Sequence, residues 1–389
     1  MQANTSLIMK SIAGAAMAVA LGAYAQTPAA PASAPAAAPA AAPAAAPTWS
    51  VGPMDLSGFI DGYYSYNFNE PDQNTKFGRV NDYYNFNDKT ASFNLNAAKL
   101  TLNHDADPIG ARIDLIYGNT NRLMNAGGLD YVEQAYLELK PPKAKGLEID
   151  MGKFTTAAGA EVIESKDNWN YSRSLLFSWA IPYYHIGMRA TAPVSKTETV
   201  GLQIVNGWNA NTTGGATIGL TSAYVKPKYT WNVNYYGGPE NANTTVGKRN
   251  LIDTTLLLTP SSKFSAYINY DYGQNRNSAR VGDKMQTTDL GRWQGIAAAA
   301  HEQFNATSAL TGRYEYFKDY QGFATGTAQT LQEFTATYEH KWVEGLLARA
   351  EYRYDFSDVP SFDKNGDSAA VKNQSTLTLG LVAFFGPKR

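Results

Sequence analysis

The sequence predicts an all-β chain: a transmembrane antiparallel β-barrel of about 16 strands, with short turns at one end and long loops at the other. Three observations predict it. From Met54 onward, segments of about ten residues alternate apolar and polar side chains, the period of strands with two unlike faces. The breaks between segments are alternately short and long. Aromatic residues (25 Tyr, 16 Phe and 7 Trp among 389) recur near strand ends, where a membrane interface selects them.

Composition removes several other classes. With 33 basic and 34 acidic residues the formal net charge is −1, so the basic excess of a nucleic-acid-binding surface is missing and no nucleic-acid partner is expected. The chain has no cysteine, which excludes disulfides, thiolate zinc sites, iron–sulfur clusters and a cysteine nucleophile. A mean hydropathy of −0.35 argues against a bundle of transmembrane helices, each of which needs about 20 mostly apolar residues.

Residues 1–25 read as an export signal. Lys10 supplies the positive start, residues 11–22 a short apolar run, and Ala23-Tyr24-Ala25 a small-x-small cleavage site before Gln26. Residues 26–48 are almost pure Ala and Pro. Recurrent proline prevents a long helix and there is nothing to bury, so this segment is expected to be an extended periplasmic tether. The barrel domain is then residues 49–389.

The clearest strand sets Leu346, Ala348, Ala350, Tyr352, Tyr354 and Phe356 on one face and Leu347, Arg349, Glu351, Arg353 and Asp355 on the other. Similar alternation runs through Phe264–Tyr272, Leu310–Tyr316, Phe334–Tyr338 and Leu377–Phe385. Short breaks centre on residues 107–110, 141–146, 193–198, 226–228, 260–263, 304–306 and 341–345. Long ones lie near 69–89, 119–130, 155–182, 209–215, 237–247, 274–289, 318–328 and 357–373. Seven short turns and eight long loops join sixteen strands and leave both chain ends on the short-turn side, the asymmetry of bacterial outer-membrane barrels. A β-sandwich shares the alternation, but sixteen long strands with every long loop at one end do not suit it. Tyr66, Phe68, Tyr117, Phe154, Trp208, Tyr235, Tyr236, Tyr270, Tyr272, Tyr314, Tyr316, Tyr354 and Phe356 are expected to form the outer aromatic belt. A one-residue slip of the 346–356 strand would turn Arg349 and Arg353 into hydrocarbon, at about 2–4 kcal/mol each. One strand changes phase between Phe93/Leu95 and Leu100/Leu102, which a bulge near Ala97-Ala98 would reconcile.

At Gly152-Lys153-Phe154, residues 159–164, residues 168–174 and Asn206-Gly207-Trp208-Asn209 the chain resembles the OmpL-like outer-membrane β-barrel porin family, over roughly residues 54–389. The resemblance implies an integral outer-membrane barrel that passes solutes by diffusion. It brings no substrate or binding residues to carry over.

Alternation assigns Arg112, Asp114, Glu148, Asp150, Arg189, Asp253, Asp271, Arg313, Glu315, Arg349, Glu351, Arg353 and Asp355 to the water-filled interior. Five arginines face eight carboxylates, so a weak cation preference is expected. The alternative is that Arg349, Glu351, Arg353 and Asp355 pair among themselves and only stiffen the wall. The longest connection, residues 155–182, is the third outer loop. It carries Glu161, Glu164, Lys166, Asp167 and Arg173, together with the apolar Trp169, Leu175, Leu176, Phe177 and Trp179. Such content packs against something. The expectation is a constriction folded into the barrel that sets Glu161, Glu164 and Asp167 opposite wall arginines; a lid over the rim or a contact between barrels are the alternatives.

The expected role is thus passive diffusion of small hydrophilic solutes and ions, with outer-membrane lipid as surroundings, homo-oligomers as a further option, and no cofactor, metal or catalytic residue. A barrel-embedded hydrolase (lipase or protease) is one alternative. It needs a Ser–His–carboxylate set, yet His104, His185, His301 and His340 sit near strand ends or turns and no Gly-x-Ser-x-Gly elbow is present. Asp363-Lys364-Asn365-Gly366-Asp367 opens like a calcium loop but lacks the later glutamate at the required spacing. A structural or adhesive barrel, with Asn-, Thr- and Gly-rich outer loops binding a surface, is the third class.

Overall fold

In a computed structural model the described residues are 50–51, 54–71, 78–124, 129–212 and 214–386. The export signal and tether expected for residues 1–48 lie outside them. Sixteen strands form the wall: β1 (Met54–Asn67), β2 (Ser92–His104), β3 (Ile109–Tyr117), β4 (Val132–Leu139), β5 (Glu148–Thr155), β6 (Tyr184–Pro193), β7 (Glu198–Val205) and β8 (Thr217–Lys226), then β9 (Tyr229–Gly238), β10 (Arg249–Leu258), β11 (Phe264–Val281), β12 (Lys284–Gln303), β13 (Ser308–Asp319), β14 (Gln329–Val343), β15 (Leu346–Ser357) and β16 (Asn373–Phe385). Each pairs antiparallel with its sequence neighbours, and β16 closes on β1 with Leu379 opposite Tyr64. Closure pairs the two edges of the sheet with each other.

The two faces are sharply different. Along β16, Leu377, Leu379 and Leu381 are 43–55% exposed, whereas Gln374, Thr376 and Thr378 between them are at most 1% exposed. Apolar side chains therefore face out and polar ones in, the reverse of a soluble core. Along β15 the expected phase holds: Arg349, Glu351, Arg353 and Asp355 are buried inside. The phase change in β2 is resolved by a bulge, with Asp61 opposite Ala97 and Gly62 opposite Leu95. The extra residue is Asn96, one position before the expected Ala97-Ala98. A second bulge pairs Asp114 with Gln134 and Leu115 with Val132, leaving Glu133 as the extra residue. Both bulge side chains are buried, since a bulge re-aims a residue that alternation would turn outward.

Two expectations are corrected. The sixth outer connection, expected as a loop over 274–289, is instead strand: β11 and β12 continue to a tight turn at Gly282-Asp283. Phe154 and Tyr236 do not belong to the outer belt, because both are fully buried. Phe154 shares the inward phase of Asp150, and Tyr236 that of Asn234. Trp208 likewise packs edge-on to Trp293, 6.1 Å between ring centres, above the wall. Residues 362–371 form a small hairpin turning at Asn365-Gly366, both with positive φ, which accounts for the calcium-like motif as turn chemistry.

Candidate functional site: the barrel interior and its third outer loop

The third outer loop, residues 156–183, begins where β5 ends. It contains a 3-10 turn (Ser165–Asp167) and a short helix α1 (Leu175–Trp179), which Ser174 caps by accepting from the Phe177 amide at 2.9 Å. Leu175, Leu176 and Phe177 are buried in an apolar cluster with Phe86, Trp293 and Phe317. Phe86 comes from the first outer loop, which also enters: Asn85 Nδ2 donates to Ser178 O at 2.7 Å, and the Tyr84 hydroxyl lies 2.7 Å from Thr376 Oγ1.

Wall charges hold the loop through its backbone. Glu315 accepts from the amides of Leu175 and Leu176 at 2.9 and 3.0 Å. Glu351 accepts from those of Tyr171 and Ser172 at 2.6 and 2.9 Å. Arg353 donates to Arg173 O at 2.7 Å, and Arg313 to Ser172 O at 2.9 Å. Arg349 reaches the carbonyls of Ser165 and Asn168. Charge-assisted bonds of this kind are the stronger class, and they leave few loop polar groups in this stretch unsatisfied.

Of the three expected acid–arginine juxtapositions one is present. Glu161 Oε1 lies 2.7 Å from Arg313 Nη1, while its other oxygen accepts from the Ser174 amide at 2.6 Å. Among the described residues Glu164 makes no ion pair with an arginine; it pairs with Lys99, an inward residue of β2. Burial by itself would raise the Glu164 carboxyl, but the Lys99 ammonium outweighs it and holds the group below the usual range. Asp167 pairs with its neighbour Lys166 at 2.6 Å in a half-exposed position. Arg173 turns back into its own loop, donating to Tyr171 O at 2.6 Å and to Ile163 O.

The remaining predicted wall residues also lie on the inward side. Arg313 further pairs with Glu333 at 2.7 Å and Glu315 at 3.2 Å. Arg353 pairs with Asp355 at 2.7 Å and Arg349 with Glu339 at 2.8 Å. Arg112 holds Asp114 at 3.0 Å and Arg189 holds Asp150 at 2.6 Å. Glu148 sits 3.2 Å from Lys140 near a turn. Asp253 accepts from Asn234 and Asn269 at 2.6 and 2.9 Å, and faces Asp271 across the β10–β11 pair. The wall pairs thus exist, and on the β13–β15 side they also grip the loop.

Sequence reasoning missed Lys99, Glu133, Glu333, Glu339 and Asp61. Lys99 is buried between Asp114 at 2.9 Å, Glu133 at 2.5 Å and Glu164. Asp61 accepts from Tyr171 Oη and Ser165 Oγ, both at 2.6 Å. Glu333 and Glu339 share the polar phase of β14 and were legible from it; Lys99 and Glu133 were hidden by the two bulges.

Among the described residues, His185 and His340 do not enter a Ser–His–carboxylate set. His185 is buried, with Nδ1 2.9 Å from Gly207 O and its ring stacked on Tyr236. His340 Nδ1 lies 3.0 Å from Ser308 Oγ, but among the described residues no carboxylate bonds the His340 ring to orient it as a base.

A closed sixteen-stranded wall, apolar without and polar within, defines an integral outer-membrane β-barrel. The chain belongs to the family described as "Putative beta-barrel porin-2, OmpL-like", which matches residues 53–385. No curated protein matches it. Among solved structures, the outer membrane channel DcaP of Acinetobacter baumannii is similar with a TM-score of 0.60 at 11% identity, over 88% of this chain and 100% of that one. The anion-selective porin from Comamonas acidovorans gives 0.56 at 11%, over 85% and 99%. Salmonella typhi OmpF gives 0.55 at 15%, over 85% and 97%. At these identities the likeness concerns the fold. Family and fold make the protein an integral outer-membrane porin.

Proposed function

We propose that the barrel passes small hydrophilic solutes and ions by passive diffusion, and that the third outer loop is its constriction. The observation that carries this reading is the set of bonds from Glu315, Glu351, Arg313 and Arg353 to the backbone of residues 171–176. A loop used as a rim lid would not be gripped by side chains on the inward face of the wall. With the first loop packed beside it, the bore is narrow and the unitary conductance small.

The test is the purified protein in a planar lipid bilayer. Discrete current steps are expected, and deleting residues 161–167 should enlarge them. An unchanged step size would count against the constriction, and no current at all would favour the adhesive or hydrolytic barrel. The eight carboxylates and five arginines first assigned to the interior, with Asp61, Glu133, Glu333 and Glu339 against Lys99, support weak cation preference. Reversal potential in a salt gradient measures it, and marked anion selectivity would contradict it.

The outward apolar face is proposed to contact outer-membrane lipid. OmpT of Vibrio cholerae, a structural neighbour with a TM-score of 0.53 at 13% identity, covering 85% of this chain and 99% of that one, is known in a trimer form. We extend self-association to this barrel, with native mass spectrometry in detergent as the check.

A further inference from the structure

Every arginine assigned above to the wall holds a carboxylate. Arg249, the first residue of β10, does not. Its Nε donates to Asn275 Oδ1 at 3.1 Å, and among the described residues it makes no ion pair. Glu240, whose charge reaches it, is occupied by the Trp208 amide at 2.9 Å and Thr217 Oγ1 at 2.5 Å. The guanidinium instead lies between two rings, 4.8 Å from the centre of Trp208 and 5.2 Å from that of Phe323. Cation–π attraction holds it there, and among the described residues only its Nε donates, so the Nη atoms are left for an acceptor.

These residues border a cavity of about 260 Å³ at the loop end of the barrel, with Trp179, Tyr183 and Trp293 among its walls. The walls are preset. Trp293 stacks on Phe323 with centres 5.3 Å apart. Asp319 fixes the Phe323 loop by accepting from the amides of Phe323, Ala324 and Thr325 at 2.8–2.9 Å. Gly291 makes room for that ring, since a Cβ there would stand 2.5 Å from Phe323 Cβ. The indole N–H groups of Trp179 and Trp293 are committed to Tyr83 O and Ala180 O, both at 3.0 Å.

The pocket therefore offers ring faces and one planar cation, with Ser178 and Asn209 as further polar lining. A flat apolar ring bearing one carboxylate satisfies both features: its ring lies among the aromatic walls and its two oxygens meet the free edge of Arg249. We propose that this pocket is a capture site for small aromatic carboxylates, of the benzoate kind, at the outer mouth.

Isothermal titration calorimetry on the full-length barrel in detergent tests it with benzoate, acetate and benzyl alcohol as probes. Benzoate should bind saturably, with acetate and benzyl alcohol each at least tenfold weaker. Arg249→Gln and Trp208→Ala should each weaken benzoate at least tenfold, and Arg249→Lys should retain more than Arg249→Gln. Equal binding of benzyl alcohol, equal binding of acetate, or undiminished benzoate binding by Arg249→Gln would each overturn the proposal, as would no benzoate binding. If Arg249→Gln fails to fold, the three-probe comparison on the unaltered protein decides alone. The readout needs no current, so its failure is separate from that of the diffusion channel.

Discussion

Glu161 in the third outer loop and Arg313 on β13 meet at 2.7 Å inside the barrel, both almost wholly buried. Arg313 also carries Glu333 and Glu315, at 2.7 and 3.2 Å, so a single cation joins loop to wall. Removing one partner of a buried ion pair typically costs about 3–5 kcal/mol, because the other charges stay buried. Arg313→Gln should therefore lower the unfolding temperature in detergent and enlarge the single-channel step. A variant with unaltered stability and current would show that the loop is held by its backbone bonds alone.

Among the described residues Lys99 is the sole cation in direct ion-pair contact with Glu133 and Glu164, and it shares Asp114 with Arg112. Oxygens of these three acids lie within 4.8 Å of one another. Lys99→Ala leaves three carboxylates facing each other, a loss of about 3–5 kcal/mol, and a hard divalent cation is suited to replace the ammonium. The variant should melt earlier than the parent and be rescued by millimolar calcium or manganese, to which the parent is indifferent. Thermal scans with and without the cation measure this.

Two loop carboxyls respond to pH with opposite sign. Burial, with the charges of Asp363 and Asp355 adding to it, pushes Asp82 up to about 7. The folded state then binds a proton that the unfolded chain releases, so stability from this group falls as pH rises between about 4 and 7. Asp82→Asn should remove that slope. Glu164, held low by Lys99 against its burial, contributes above the usual glutamate range and loses that contribution as pH falls through its folded value, and Glu164→Gln should remove that loss. Melting temperatures of the two variants across pH 3–8 separate the effects.

Leu379 stands outward on β16, 55% exposed. An arginine there meets hydrocarbon at a cost of about 2–4 kcal/mol near the midplane. Leu379→Arg should reduce the yield of folded barrel in lipid vesicles by at least tenfold, while Leu379→Val is tolerated. Equal folding of the two would contradict the assignment of that face.

Much of this was legible in the residues. Alternation at 346–356 alone sets inside against outside, because a one-residue error there would place two arginines in lipid. The count of short and long breaks supplies the sixteen strands even though one of the eight long breaks is not a loop. Asn275, Asn277 and Ser278 look like loop chemistry, yet they continue a strand: above the membrane no hydrocarbon selects an apolar face, so the period-two signal fades while the ladder persists. Lys99 and Glu133 escaped because one extra residue in β2 and another in β4 reverses the phase on which such assignments rest. The loop's grip was partly visible, since the apolar run at 175–177 demanded burial. Which acid meets which cation depends on its path across the bore, and no local period encodes that.

The β11–β12 ribbon outruns its neighbours. Pairing with β10 ends at Asn275 and pairing with β13 begins at Trp293, so the stretch to Gly282-Asp283 stands as two strands by itself. At about 3.4 Å per residue it rises roughly 20 Å, and Gly282 has nothing within 4 Å of a would-be side chain. An epitope spliced into that turn would be carried clear of the rim, giving antibodies on intact cells a handle that leaves the bore untouched.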